Sequence, residues 1–598
     1  MHPKERTSVK LQELGTVADR RSESKGGKSF HALLALSIGC TVSIVIPNLY
    51  GDPPNGNSSK EDLKKAKVQI RFPASDAPSG TPTGSKSEPS ELPTEQKGNK
   101  LAADIARSKS NDNPQQVGKS SPISVATEEE KNQKIAFDWK DPLFVFFVTG
   151  SQTGYIEPCG CTGLENQKGG LSRRDSFLTS VRKRGWEVIP IDGGGQVFQV
   201  SDTSPDPRRG RQADIKFAWT AKAFSMLEYQ AVAFGEDDLL LDMGSLLLPM
   251  IDKPGLFVSA NVSVSPDYDS AYKTLVVKNK KIGITTVLGD ENAKKAKSNE
   301  EISISRAIPA LTTVAAKMRA EKCDYMLLVS HASLEESRAI ARAVPDFSLI
   351  VTTGGFGEPT YQPEQIAGTS CQMVQVGTKG MYTGLFGVFD NPKQPFRYQR
   401  VALSSQFEDS PRVAELFGKY QDELKAVAFE GLGKRPMSHP TTREFVGSEK
   451  CAECHTTAFE VWKHTPHAHA TDSIVEPPER SIARHFDPEC VSCHVTGWNP
   501  SKFAPYRTGF ESLETTPHML GSGCENCHGP GSKHVSAELG EFQADAELLK
   551  KLREEMKLPL EQASDKCMQC HDIDNSPDFH KPDAFKDYWE KVKHYGKD

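Results

Sequence analysis

Polar and basic residues fill positions 1–29, and an apolar run then extends from Phe30 to Ile46 (FHALLALSIGCTVSIVI). A run of about 17 residues is the lower limit for a membrane-spanning helix. The cationic residues ahead of it predict a cytoplasmic tail over 1–29 and export of the remainder of the chain. Segment 30–50 therefore reads as a signal anchor or signal peptide. From 51 to 136 the apolar pattern disappears: Pro, Ser, Lys and Glu dominate, and Phe72 is the lone aromatic residue. Such a segment buries too little apolar surface to offset its ordering entropy, so it reads as a disordered linker. Beyond it, strand-length runs (FVFFVTG, WEVIPIDGG, AVAFG, KIGITTVLG, YMLLVSH, FSLIVTTGG) alternate with helix-length amphipathic segments such as IKFAWTAKAFSML and ALTTVAAKMRAEK. This alternation predicts an α/β domain over 137–400, whose loops at strand ends would form any site. Residues 401–445 read as a helical connector. From 446 to 598 aliphatic runs are scarce.

With 598 residues the chain is too long for one core, at roughly 150 residues per domain, so the reading is multidomain. Lys and Arg number 73 against 79 Asp and Glu, which argues against a basic stripe and a nucleic-acid partner. Eight of 13 cysteines and 13 of 16 histidines lie beyond Pro436, which puts the chemistry in the last quarter of the chain.

There the sequence Cys-x-x-Cys-His occurs four times: Cys451, Cys454 and His455; Cys490, Cys493 and His494; Cys524, Cys527 and His528; Cys567, Cys570 and His571. Two thiols three residues apart share one helical face and can form thioethers with the vinyl groups of haem, while the adjoining His reaches the iron. Zinc ribbons have no need of that fifth residue. Four covalent haem c groups are predicted, with His455, His494, His528 and His571 as proximal ligands. Spare histidines for the opposite faces are His464, His467, His469, His485, His518, His534, His580 and His594. A region so poor in aliphatic residues would take its apolar interior from packed haems and would be mainly α-helical.

The run VGSEKCAECHTTAFEVWKHTPHAHA, followed by DPECVSCHVTGW, GSGCENCHGPGSKH and KCMQCH, resembles the tetrahaem cytochrome c-552/c-554-type domain over about Val446 to Pro577. The resemblance implies electron transfer. It also implies a distal iron ligand at the His of Trp-x-x-Thr-x-His-Ala, here His467, and another after Cys-His-Gly-Pro-Gly, here His534. His518, just before the third motif, is a further candidate. The resemblance also implies that one haem is five-coordinate.

The loops GGLSRR, IDGGG, FGEDD, SANV, VSHAS and TTGGFGEP occur in the order of those in the metallophosphoesterase domain of 5'-nucleotidases. That resemblance implies a four-layered α/β sandwich, in a family that holds two metal ions. The ligands themselves are mostly missing. Gly194 and Gly195 stand where the family has Asp, Glu236 and Asp237 replace Asn-His, and Gly354 to Glu358 has lost both histidines. Asp192 and His331 remain. Two hard cations need several more carboxylate and imidazole ligands, so the domain is expected to be degenerate and to hold no divalent metal. A different metal set from Glu236, Asp237, Asp238 and His331 stays open, as does a solvated acidic turn. Cys159 and Cys161 stand at the first ligand position. They could pair with Cys323 or Cys371, bind a soft metal, or be plain loop residues.

The expected function is that of an exported, membrane-tethered tetrahaem cytochrome on the periplasmic side of the inner membrane. It would pass single electrons between redox proteins of the envelope. Two alternatives remain: a multihaem enzyme acting on a small nitrogen or sulfur compound at an open haem, and an active metal-dependent phosphoesterase with a cytochrome partner domain.

Overall fold

The computed structural model describes residues 33–36, 40–43, 134–158, 164–197, 210–296, 299–478 and 482–596. The tail 1–29, nearly all of the linker, and Cys159 and Cys161 lie outside these residues. Within the run expected as a helix, Leu33–Leu36 (β1) pairs antiparallel with Cys40–Ser43 (β2), and the rest of the run is not described. A short, uniformly apolar stretch carries no period to separate helix from strand. Among the described residues no helix is long and apolar enough to cross a membrane.

Among the described residues the α/β domain contains thirteen strands. They are β3 (Phe144–Thr149), β4 (Val188–Asp192), β5 (Ala231–Val232), β6 (Val262–Ser263), β7 (Lys273–Val277), β8 (Lys280–Leu288), β9 (Ser303–Ile304), β10 (Tyr325–His331), β11 (Leu349–Thr352), β12 (Glu364–Gln365), β13 (Gln372–Gln375), β14 (Tyr382–Val388) and β15 (Phe396–Ala402). Two large sheets form, in the orders β15-β14-β3-β4-β5 and β12-β13-β11-β10-β8-β7, and β6 pairs with β9 in a small antiparallel sheet. The neighbours β3-β4-β5 and β8-β10-β11-β13 are parallel, and their apolar runs are buried on both faces as parallel strands require. The β7–β8 hairpin turns on Lys278 and Asn279, both at positive φ, as a two-residue turn between right-twisted strands demands.

The sheets face each other through Phe144, Phe146, Ile191 and Phe386 on one and Ile284, Leu327, Val329 and Val351 on the other. Phe147 and Leu385 turn outward onto the helices Leu171–Arg182, Arg211–Met226 and Pro411–Gly431. Leu328 and Ile350 turn outward onto Ala307–Ala320 and Leu334–Ala343. The layers therefore run helix, sheet, sheet, helix. Two boundaries differ from the sequence reading. Ile135 and Ala136, assigned to the linker, are buried with Trp139. The connector helix Pro411–Gly431 inserts Phe417, Tyr420 and Leu424 into the core and so belongs to the outer layer. Its apolar face has the period of a packed helix, which gives it a place in the core.

The C-terminal region is a set of short helices around a small core of Phe445, Ile474, Val491, Val495, Trp498, Tyr506, Phe510 and Met519. Each Cys-x-x-Cys-His lies in or directly after one of these helices.

Candidate haem centres and the strand-end cleft

Each motif closes a single helical turn. In the first, His455 N–H donates to the Cys451 carbonyl at 3.0 Å, and in the fourth His571 N–H donates to that of Cys567 at 2.9 Å. The second and third lie within the helices Pro488–His494 and Cys524–His528. Both thiols of each motif thus share one face beside the imidazole. The motifs are also tied to one another. Glu525, inside the third motif and 2% exposed, accepts the N–H groups of Val446, Gly447 and Gly531, which pins the entry to the first motif.

Three proximal imidazoles face a second one. His455 and His534 have ring centroids 6.3 Å apart, His571 and His467 6.0 Å, and His528 and His594 5.7 Å. Two imidazoles sharing one metal, each bound at about 2 Å, would place their centroids about 6 Å apart. The second ring nitrogen is held in several of them. Nδ1 of His528 meets the Met556 carbonyl at 2.7 Å, that of His571 meets the Ser576 hydroxyl at 3.0 Å, and that of His594 meets the Val592 carbonyl at 2.9 Å. Such a partner fixes the tautomer and presents Nε2 to a metal. Burial holds His467, His528, His534 and His571 below the usual imidazole range, His571 at about 4, so the neutral, ligating form prevails. These residues fit haem.

His494 has the same posture, with Nδ1 2.7 Å from the Ala470 carbonyl and 3.1 Å from the Ser473 hydroxyl. His518 is exposed and, among the described residues, faces no proximal His. His464 and His580 bond to backbone carbonyls. Of the three distal candidates read from the sequence, His467 and His534 are thus brought to proximal partners and His518 is not. His594 takes a place that no local pattern marked, because it depends on the terminal segment returning to the third motif. The loop bearing His467 is clasped to the third motif: its carbonyl accepts Ser522 N–H at 2.9 Å, and Trp462 Nε1 donates to the Ser522 carbonyl at 3.0 Å. Gly521, at φ +75°, allows this approach, since a Cβ there would stand 2.8 Å from the Ala468 oxygen.

The strand ends of the α/β domain gather Asp192, Glu236, Asp238 and His331, all buried. Asp192 accepts from Thr149 Oγ1 at 2.6 Å, Gly194 N–H at 2.9 Å and Gln196 Nε2 at 2.6 Å, and Arg174 Nη1 lies 3.7 Å away. Asp238 accepts the N–H groups of Gly195, Gln196, Val197 and Gly235 at 2.8–3.1 Å, while burial pushes its carboxyl up to about 6. His331 pairs through Nε2 with Glu236 at 2.7 Å and through Nδ1 with the Gly193 carbonyl at 2.8 Å. Burial opposes both charges of that pair. Even so, the mutual contact holds Glu236 below and His331 above their usual ranges. Glu358, in the last loop, is taken up by Lys168, Arg400 and the Tyr382 hydroxyl.

Among the described residues no group of three His, Cys, Asp or Glu is disposed to hold a metal ion. The protein's own donors fill the carboxylates instead. The glycines of this loop are held by contact and backbone conformation: a Cβ on Gly194, at φ +79°, would lie 2.7 Å from the Ala233 oxygen, and one on Gly195, at φ +74°, 3.1 Å from the His331 ring. Sequence reasoning passed over Arg174, whose burial beneath Asp192 follows from tertiary packing. Cys323 and Cys371 are free thiols, Cys371 fully buried.

Residues 450–529 form a cytochrome c554 domain, matching the family described as cytochrome c554 and c-prime. Cytochrome c-554 of Nitrosomonas europaea is 34% identical over 98 residues, which cover 14% of this chain and 39% of that protein. The match therefore spans about two fifths of the relative's length. Haem c is the cofactor that this family implies. Among solved structures, the sulfate thiohydrolase SoxB of Thermus thermophilus is similar at a TM-score of 0.40 and 11% identity, covering 49% of this chain and 62% of that one. A 5'-nucleotidase precursor, also from Thermus thermophilus, is similar at 0.39 and 15%, covering 56% and 66%.

Proposed function

We propose that this chain is an exported tetrahaem c-type cytochrome that passes single electrons between redox proteins of the cell envelope. Its α/β domain serves as a hydrolytically inactive docking or recruiting module. The observation that carries the reading is the set of three facing imidazole pairs, each built on a Cys-x-x-Cys-His motif. Haem c supplies a one-electron couple, and paired imidazoles favour low-spin iron suited to electron transfer. In this assignment His455 and His534, His571 and His467, and His528 and His594 are the axial pairs, and His494 is the proximal ligand of the remaining centre. Cys451, Cys454, Cys490, Cys493, Cys524, Cys527, Cys567 and Cys570 are the attachment points. Export through segment 30–50 to the periplasmic side belongs to the same proposal, because c-type cytochromes are generally extracytoplasmic.

Acid-acetone extraction of the purified protein tests the haem count, and paramagnetic resonance tests the ligation. Four covalent haems with at least three low-spin signals are expected. Fewer than three covalent haems, or a mainly high-spin spectrum, would overturn the assignment.

A further inference from the structure

The α/β domain grips the second motif, and it also reaches the segment after the fourth, where Lys379 pairs with Asp574 and Gln167 Nε2 donates to the Asn575 carbonyl. The helix of the second motif, Pro488–His494, is capped by Asp487, whose carboxylate accepts the Glu489 N–H at 3.0 Å. The same carboxylate is reached from the other domain by Gln212 Nε2 at 2.8 Å, Gln421 Nε2 at 3.3 Å and the Tyr420 hydroxyl at 3.4 Å. Glu489, the residue before Cys490, receives Lys216 Nζ at 2.7 Å from each of its oxygens. The Lys216 side chain is 7% exposed, and its ammonium also donates to the Gly154 carbonyl at 3.1 Å. A second bridge joins the same two parts, where Arg484 Nε meets Glu157 at 3.2 Å. Gly154 and Glu157 both lie in the loop that follows β3.

We propose that the Lys216–Glu489 pair sets the reduction potential of the haem attached at Cys490 and Cys493, so that the docked α/β domain tunes that one centre. The inference rests on the haem assignment above. Its physical basis is charge next to a buried redox group. Reduction adds an electron, so a nearby cation favours the reduced form and a nearby anion the oxidised form, and weak solvent screening strengthens both effects. Lys216 comes from the helix Arg211–Met226 and Glu489 from the motif helix. The cation at this position is therefore supplied by the α/β domain. None of the other three motifs has a buried lysine of the α/β domain paired to the residue preceding its first cysteine among the described contacts.

The test is an anaerobic potentiometric titration of the full-length holoprotein, read optically and by paramagnetic resonance. Lys216→Met leaves Glu489 uncompensated and is expected to move one midpoint of the set to more negative values. Glu489→Gln leaves Lys216 uncompensated and is expected to move the same midpoint to more positive values. The double variant should return towards the native value, and Lys216→Arg, which keeps the cation, should match it. Opposite signs at one centre are not what a packing defect produces. Equal shifts of all midpoints, shifts of the same sign in both single variants, or no shift at all would overturn the proposal. A native protein lacking four covalent haems would instead overturn the assignment on which it rests, and extraction reveals that separately.

Discussion

His467 and His571 face each other with ring centroids 6.0 Å apart, although one belongs to the turn after the first motif and the other closes the fourth. The same crossing recurs in His455 with His534 and His528 with His594. Each assigned pair therefore joins segments far apart in the sequence. In the proposed assignment such crosslinks would supplement an apolar core limited to residues such as Phe445, Val491 and Trp498.

Replacing His467 or His534 by Ala should convert one haem each from low-spin to high-spin, because a strong-field imidazole is lost. His464→Ala and His518→Ala should leave the resonance spectrum unchanged, since His464 is engaged by the Glu460 carbonyl and the His518 side chain is exposed. A low-spin set preserved in both of the first two variants would reject the assigned pairs.

The pair made by the terminal segment gives a separate expectation. His594→Ala should produce a high-spin signal from the haem of the third motif while the first and fourth keep theirs, because His528 faces His594 at 5.7 Å. Resonance spectra compared with the His467 and His534 variants check this: three distinct low-spin centres should be lost, one per variant.

Much of this arrangement was legible in the chain, and for definite reasons. The four motifs could be read because thioether attachment requires two thiols and an imidazole at fixed local spacing. The parallel strands could be read because FVFFVT and YMLLVSH are apolar on both faces. The missing histidines of the strand-end loops were equally visible. The features that escaped depend on tertiary contact. Nothing local marks His594 as opposite His528, Arg174 as buried beneath Asp192, or Lys216 as the partner of Glu489. The connector helix was placed outside the α/β core because chain position alone does not tell which layer Phe417 and Leu424 enter.

Arg174 should be essential to the stability of the α/β domain. Its side chain and that of Asp192 are fully buried, and removal of one partner from a buried ion pair costs roughly 3–5 kcal/mol. Arg174→Met is expected to lower the midpoint of chemical unfolding by a corresponding amount without changing the haem spectrum of the folded protein. An unchanged midpoint would show that the donors of Thr149, Gly194 and Gln196 alone suffice for Asp192.

The cleft should also give the α/β domain a pH optimum on the acid side of neutrality. His331 is raised in the folded state, so its contribution is fully present below its ordinary 6.5 and is lost as pH rises through the raised value. Asp238, raised to about 6, binds its proton more tightly when folded and favours folding as pH falls from there towards 3.8. Glu236 is depressed, so its contribution is present above 4.5 and lost below it. Thermal unfolding followed from pH 4 to 8 is therefore expected to show greatest stability between 4.5 and 6.5. His331→Gln should flatten the alkaline side. A native profile that rises steadily towards pH 8 would contradict the assigned signs.

The α/β domain should release no phosphate from nucleotides or bis-p-nitrophenyl phosphate when manganese, zinc or calcium is added. A bridging hydroxide needs two rigidly held cations, and the groups that would hold them are already engaged. Asp192 accepts from three donors beside Arg174, Asp238 accepts four backbone N–H groups, and Glu236 is tied to His331 and Asn292. The buried Arg174 cation near Asp192 further opposes a divalent ion at that carboxylate by like-charge repulsion. Introducing Asp at Gly194 or Gly195 is not expected to create hydrolysis, because a Cβ at Gly194 would collide with the Ala233 carbonyl and one at Gly195, at φ +74°, would crowd the His331 ring. The measurement is phosphate release by the holoprotein with each metal, alongside His331→Ala. Robust turnover lost in His331→Ala would overturn the inactive reading, because it would require the Glu236 and Asp192 networks to open and admit metal.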